Sequence, residues 1–139
     1  MQAVCPEVGM GLPVPRPPME VWDAPTGLGL RLVEDKTVQL GEDLRRWFVS
    51  QLPRWRCYDG FILKSRSPSC GHGTTQVFDA SGRQSVTADG LFVALLKQYF
   101  PHVPIIDENG VCDVMRRLDF LRQARHNARL RQPGQAGEG

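Results

Sequence analysis

The chain has 139 residues, 41% hydrophobic and 23% charged, the balance of an ordinary globular domain with room for one core. That excludes a disordered tail protein, a collagen-like chain and a coiled coil. Seventeen basic against fifteen acidic side chains leave a net charge of +2, which makes no electrostatic case for nucleic acid or a membrane surface.

Fourteen glycines and eleven prolines predict much turn and loop. No apolar run reaches the ~18 residues needed to cross a bilayer. Met1 to Glu7 lacks the charged-then-apolar order of a signal peptide. The reading is therefore cytoplasmic. Thiols stay reduced there, so Cys5, Cys57, Cys70 and Cys112 are not by default two disulfides.

The segment from Cys5 to Pro18 carries proline at 6, 13, 15, 17 and 18. Proline lacks the donor and blocks the preceding turn, so a loop is predicted here rather than a helix. Val8, Met10, Leu12 and Val14 favour a packed loop over a linker. Met19 to Trp22 and Leu28 to Val33 read as two short strands around Pro25-Thr26-Gly27. Gly41 to Leu52 reads as a helix, with Leu44, Trp47, Phe48 and Leu52 on one face and Pro53 ending it.

Gly60 to Leu63 is a short apolar run and reads as a buried strand. The loop from Lys64 to Thr74 follows it. Val77-Phe78 and Gln84 to Val86 flank Asp79-Ala80-Ser81-Gly82 as a hairpin or irregular turn. Gly90 to Tyr99 is a second helix, Val103 to Ile106 a strand, and Asp113 to Leu130 a third helix. The expected fold is α/β: a small, mostly parallel sheet flanked by helices in three layers. It forms one domain over 1–131, with a disordered Pro/Gly-rich tail over 132–139.

Loops at the carboxyl ends of strands are the usual ligand sites in such folds. Two loops have that placement. One begins Cys5-Pro6-Glu7 and contains Pro15-Arg16-Pro17. The other reads Lys64-Ser65-Arg66-Ser67-Pro68-Ser69-Cys70-Gly71-His72-Gly73. A cysteine among Ser, Pro and Gly can turn its thiol to a pocket. Lys64, Arg66 and backbone N–H groups would favour its metal-binding thiolate. A turn of ordinary small residues with a chance cysteine fits the spacing equally well. Neither a Cys-x-x-Cys nor a His-x-x-x-His is present, so a zinc finger has almost no support. Ser67 and His72 lack a Gly-x-Ser-x-Gly elbow, and no Walker pattern exists.

Certain stretches are far more specific together. They are Val4 to Gly9 with Gly11-Leu12 and Pro15-Arg16-Pro17, and Asp59 to Gly71 with its Ser-Pro-Ser-Cys-Gly run. The pattern continues through Gly73 to Thr75, Val77 to Asp79, Gly82, Asp89 to Phe92, Pro104 and Glu108. In these the chain resembles the thiouracil desulfidase family, long catalogued as a domain of unknown function. The resemblance implies a [4Fe–4S] cluster held by three cysteines, with one iron open to the sulfur of a thiolated pyrimidine base or nucleotide. C=S is replaced by C=O without redox change.

By motif, Cys5 and Cys70 match two cluster ligands, Glu7 the acid/base carboxylate, and Ser67 a hydroxyl that assists proton movement or orients substrate. Arg16, Lys64 and Ser69 fall to substrate binding. The family's remaining ligand lies in a Cys-x-x-Gly loop after an N-terminal strand. That strand and cysteine are expected upstream of Met1, which makes the domain N-terminally incomplete.

At ~3.3 Å per residue, Cys57 lies roughly 20 Å from the carboxyl end of the strand that leads to Cys70, a poor place for a ligand. Cys112 could reach the same sheet edge. His72 could touch substrate, while His102 and His126 read as surface residues. The arginines of the last helix read as a solvated basic face or a weak contact with RNA or an acidic partner. Lys64 and Arg16 could also serve in simple salt bridges. The expected partner is a small thiolated nucleobase or nucleotide, with no membrane and with nucleic acid disfavoured. A non-catalytic α/β remnant that has lost the cluster is the alternative, and a zinc or redox-thiol protein a third.

Overall fold

The computed structural model describes residues 5–9, 11–12, 17–25 and 27–136. In chain order the elements are a single helical turn α1 (Pro6–Gly9), strands β1 (Met19–Ala24) and β2 (Gly27–Leu32), and helices α2 (Gly41–Ser50) and α3 (Leu52–Trp55). Strands β3 (Phe61–Leu63), β4 (Thr75–Phe78) and β5 (Gln84–Ala88) follow. Then come helix α4 (Leu91–Tyr99), strand β6 (Ile105–Asp107), and helices α5 (Glu108–Cys112) and α6 (Val114–Ala136). No helix among the described residues is long and apolar enough to cross a membrane.

The α/β class holds, with sheets flanked by helices, but the strand directions differ from the expected mostly parallel arrangement. A four-stranded sheet runs β2-β1-β4-β5, and β3 pairs with β6 in a separate two-stranded sheet. β1/β2 and β4/β5 are antiparallel, whereas β1/β4 and β3/β6 are parallel. The connections explain this. A parallel pair needs a crossover of a dozen or more residues, and the links from Ala24 to Gly27 and from Phe78 to Gln84 are too short for one. In the second link, Asp79 folds the turn back on itself. Its Oδ1 accepts from the Ser81 and Arg83 amides at 2.9 and 3.0 Å and from the Ser81 hydroxyl at 2.6 Å. These bonds hold the Asp79 carboxyl below its ordinary range.

Three local departures have physical causes. The segment predicted to be loop contains α1, in which Gly9 N–H donates to Cys5 O at 2.8 Å. Pro6 opens that turn, where its missing N–H costs nothing. Pro53 likewise begins a helix rather than ending one. α2 stops at Ser50, Gln51 N–H donates to Phe48 O at 3.1 Å, and α3 restarts with proline in its first turn. Finally, α6 runs past its expected end at Leu130 to Ala136, and Arg131 anchors this stretch by pairing with Asp59 and donating to Cys57 O.

The core has two lobes. Around β3 and β6 it is aromatic: Phe48, Trp55, Phe61 and Phe92 are buried with Leu63, Val93 and Leu96. Their rings meet at centroid distances of 5.4 to 6.2 Å. Under the four-stranded sheet it is aliphatic, with Val21, Leu30, Leu40, Leu44, Val77 and Leu91. Trp47 packs against both lobes. The predicted apolar stripe of α2 is thus the seam of the molecule.

One buried ion pair braces the larger sheet. Glu20 and Arg31 face each other in the β1/β2 register, only 6% and 2% exposed, and Arg31 Nη2 lies 2.8 Å from Glu20 Oε2. Arg31 also donates to Asp79 O at 2.7 Å and covers the Trp22 ring at 4.4 Å. Its charge is therefore hydrogen-bonded on two sides as well as paired.

Candidate active site

β3 and β6 run in parallel, so their carboxyl ends lie at one edge. The chain leaves β3 into Lys64 and Ser65 and leaves β6 into Glu108. At that edge Glu108 accepts from the Ser65 amide at 2.6 Å and from the Ser65 hydroxyl at 3.2 Å. Lys64 Nζ reaches the same carboxylate at 2.9 Å. The Ser65 bonds, with help from Lys64, lower the Glu108 carboxyl to about 2. Lys64 is thus paired with a carboxylate here, and the salt-bridge role anticipated for it is the one the geometry displays. Glu108 as the clamp at the base of the cysteine loop escaped the sequence reading. It becomes visible only once β3 and β6 are known to be neighbours.

From Ser65 the loop turns through Arg66, which takes φ +65° and donates its amide to Thr74 Oγ1 at 2.7 Å. Ser67 then organises the next turn. Its Oγ accepts from the Ser69 and Cys70 amides at 3.3 and 3.1 Å, and its carbonyl accepts from Thr75 Oγ1 at 2.5 Å. Ser69 Oγ lies 3.2 Å from Ser67 Oγ and donates to Cys70 Sγ at 3.8 Å. These contacts run in a line from Ser67 through Ser69 to the Cys70 thiol. Ser69 is fully buried and Cys70 only 8% exposed, so both face the protein interior.

The loop docks on the amino end of α4. Leu91 N–H donates to Pro68 O at 3.1 Å, and Phe92 and Val93 N–H donate to Ser69 O at 2.9 and 3.2 Å. Gly90 N–H donates to Gly71 O at 2.7 Å. α4 has no side-chain cap, so the loop carbonyls satisfy the amides that a helix start leaves open. Only glycine allows this approach: a Cβ at Gly90 would lie 2.5 Å from Ser69 C and O. The Cys70 turn is therefore seated on the amino end of α4 through its own backbone carbonyls. At the far end of the loop the Gly73 amide donates to Asp89 Oδ1 at 2.8 Å, and Asp89 pairs with Lys97 at 2.8 Å. Burial, and then Lys97, push the His72 imidazole below its ordinary 6.5, so it is neutral near pH 7.

The Cys5 loop approaches from the other side. Pro6 is fully buried, and α1 lies against α2. Gly9 sits so close to the Trp47 indole that a Cβ there would fall 2.3 Å from its Cζ2. Trp47 in turn packs on Phe92 at a ring distance of 6.2 Å, and Phe92 holds Ser69. A continuous set of contacts therefore joins the Cys5 turn to the Cys70 loop. Cys5 is exposed. The Glu7 side chain and the whole of Arg16 lie outside the described residues.

Cys57 and Cys112 are exposed, and Cys57 Sγ donates to Pro53 O at 3.5 Å, at the start of the β3 segment rather than its carboxyl end. Among the described residues no three His, Cys, Asp or Glu side chains gather as metal ligands. The thiols of Cys5 and Cys70 have the donor chemistry of iron–sulfur ligands, and by count they make two of the three thiolates expected.

A family model described as 2-thiouracil desulfurase matches residues 1–108. The uncharacterized protein YbbK of Bacillus subtilis (strain 168) is 32% identical over 118 residues, covering 80% of this chain and 76% of that protein. Among solved structures, one described as the [4Fe-4S]-dependent thiouracil desulfidase TudS is 27% identical, with a TM-score of 0.53. That match covers 84% of this chain and 73% of the other.

Proposed function

Because this chain belongs to the 2-thiouracil desulfurase family, we propose that it removes sulfur from thiolated pyrimidine bases or nucleotides, replacing C=S by C=O with a [4Fe–4S] cluster as cofactor. The observation that carries the reading is the Ser67–Cys70 turn, hydrogen-bonded from Ser67 to the sulfur and seated on the amino end of α4. The structural neighbour described as [4Fe-4S]-dependent supports the choice of cofactor.

In this proposal Cys5 and Cys70 are two of the thiolate ligands. When bound, such a cluster supplies a soft Lewis-acidic iron for the substrate's sulfur. The chain's own residues do the rest. Glu7, two residues from Cys5, takes the proton of the attacking water and passes it to the departing sulfur, because C=S and water give C=O and hydrogen sulfide and the base itself gains no proton. Ser67 and Ser69 hold the Cys70 turn in shape. Arg16 meets the substrate's anionic groups, with Lys64 on the opposing loop as a further substrate contact; Ser69, fully buried, supports the turn rather than touching substrate.

The test is anaerobic reconstitution with iron and sulfide, followed by turnover of 2-thiouracil. Cys70→Ser should lose the cluster. Glu7→Gln should keep it and slow sulfur removal roughly a hundredfold or more. Parent-like turnover by Glu7→Gln would contradict the acid/base assignment. A colourless, folded protein after reconstitution would favour the remnant that has lost its cluster.

A further inference from the structure

α6 lies beyond the part of the chain matched by the desulfurase family, and it is anchored at the opposite end of β3 from Cys70. Arg131 pairs with Asp59 at 2.8 Å and donates to Cys57 O at 2.5 Å. Asn127 Nδ2 donates to Asp59 O at 3.3 Å and to His102 O at 3.2 Å. These bonds fix the helix against the turn that precedes β6. Between them lies a groove of ≈590 Å³ lined by Arg122, His126 and Arg129 from α6 and His102 from the turn. On α6 these residues recur at spacings of four and three, so they share one face. No carboxylate lines the groove among the described residues. Asp119, which pairs with Arg122, sits a turn away, outside the lining.

We propose that this groove is a second binding site, separate from the cysteine loops, for a phosphate-bearing ligand. Its volume falls within the roughly 300–1,000 Å³ of small-molecule sites. Its chemistry is that of anion capture. Guanidinium groups present paired N–H donors that match two phosphate oxygens, and imidazoles add single donors between them. Asn127 ties the His102 wall to the helix wall, so both walls are in place before a ligand arrives and little ordering cost remains. α6 carries six arginines from 116 to 131 against the single carboxylate of Asp119, which draws anions towards the groove. The site stands whether or not the chain is a desulfurase.

The experiment titrates the full chain with inorganic pyrophosphate, uridine triphosphate and a short oligouridylate, read by backbone amide NMR. Saturable shifts confined to His102, Arg122, Gln123, His126, Asn127 and Arg129 are expected, weaker as salt rises. Arg122→Ala with Arg129→Ala should weaken binding at least about tenfold, with the amide spectrum of the ligand-free protein unchanged elsewhere. Should that pair disturb the fold, His126→Ala alone should still weaken binding. Tightest binding of the triphosphate identifies a free nucleotide, and tightest binding of the oligouridylate identifies a nucleic acid backbone. No saturation at millimolar concentration, shifts centred on the Cys70 loop, or binding that survives the arginine variants would overturn the proposal.

Discussion

The Ser67 hydroxyl does two jobs with one oxygen. It accepts the Ser69 and Cys70 amides and shares a hydrogen bond with the Ser69 hydroxyl. Ser67→Ala removes both acceptor contacts, and the expected loss is about 1–3 kcal/mol of stability, together with roughly a hundredfold of turnover. Denaturant midpoints and steady-state rates check the two parts separately. Glu108 offers a pH test. Its folded-state pKa of about 2 lies below its ordinary 4.5, so its contribution to stability is fully present above 4.5 and is lost as pH falls towards 2. Glu108→Gln should therefore lower the urea midpoint at pH 7, and the gap to the parent should close by about pH 2. A gap that persists at low pH would mean the carboxylate is not what holds Ser65.

At the scale of elements, Gly90 decides whether the cysteine loop can seat on α4. A Cβ 2.5 Å from the Ser69 carbonyl forces backbone to move, so Gly90→Ala should cost about 1–3 kcal/mol. It should also raise hydrogen exchange at Leu91 and Phe92, whose amides the loop carbonyls hold. Unchanged protection there would refute the docking account. Much at this scale was legible beforehand. The spacing of Leu44, Trp47 and Phe48 fixed α2 and its buried face, and the Ser-Pro-Ser-Cys-Gly run marked the loop that proves to be the most tightly tied. What stayed hidden depends on pairing between distant segments. Nothing local in Leu63 or Ile106 tells that β3 and β6 are neighbours, so the Glu108 clamp could not be seen. α1 was missed because proline was read as a helix breaker, and at the first position of a helix it is the opposite. The same reasoning misplaced Pro53.

For the molecule as a whole, two sheets share one seam of side chains along α2, and the site sits where that seam meets the amino end of α4. The larger sheet depends on a buried charge. Arg31→Met would leave Glu20 buried with only Lys36, at 3.6 Å, to offset it. The expected cost is about 3 kcal/mol, near the lower end for breaking a buried pair, measurable as a fall in the denaturation midpoint. The strand directions show the limit of composition as a guide. Short apolar runs between helices suggested a mostly parallel sheet, but the short links after β1 and β4 fold back as hairpins and make the larger sheet mostly antiparallel. The class survived because the long crossovers to β4 and β6 still produce parallel pairs.

The central claim is that this chain exchanges sulfur for oxygen on a thiolated pyrimidine at a site built on Cys5 and Cys70. The most direct measurement incubates the anaerobically reconstituted chain with 2-thiouracil and follows the base by chromatography, with Cys70→Ser alongside. Uracil is expected from the parent at a rate that scales with bound iron, and none from Cys70→Ser. Uracil formed equally by both proteins, or none formed by a parent that carries about four irons per chain, would contradict the claim.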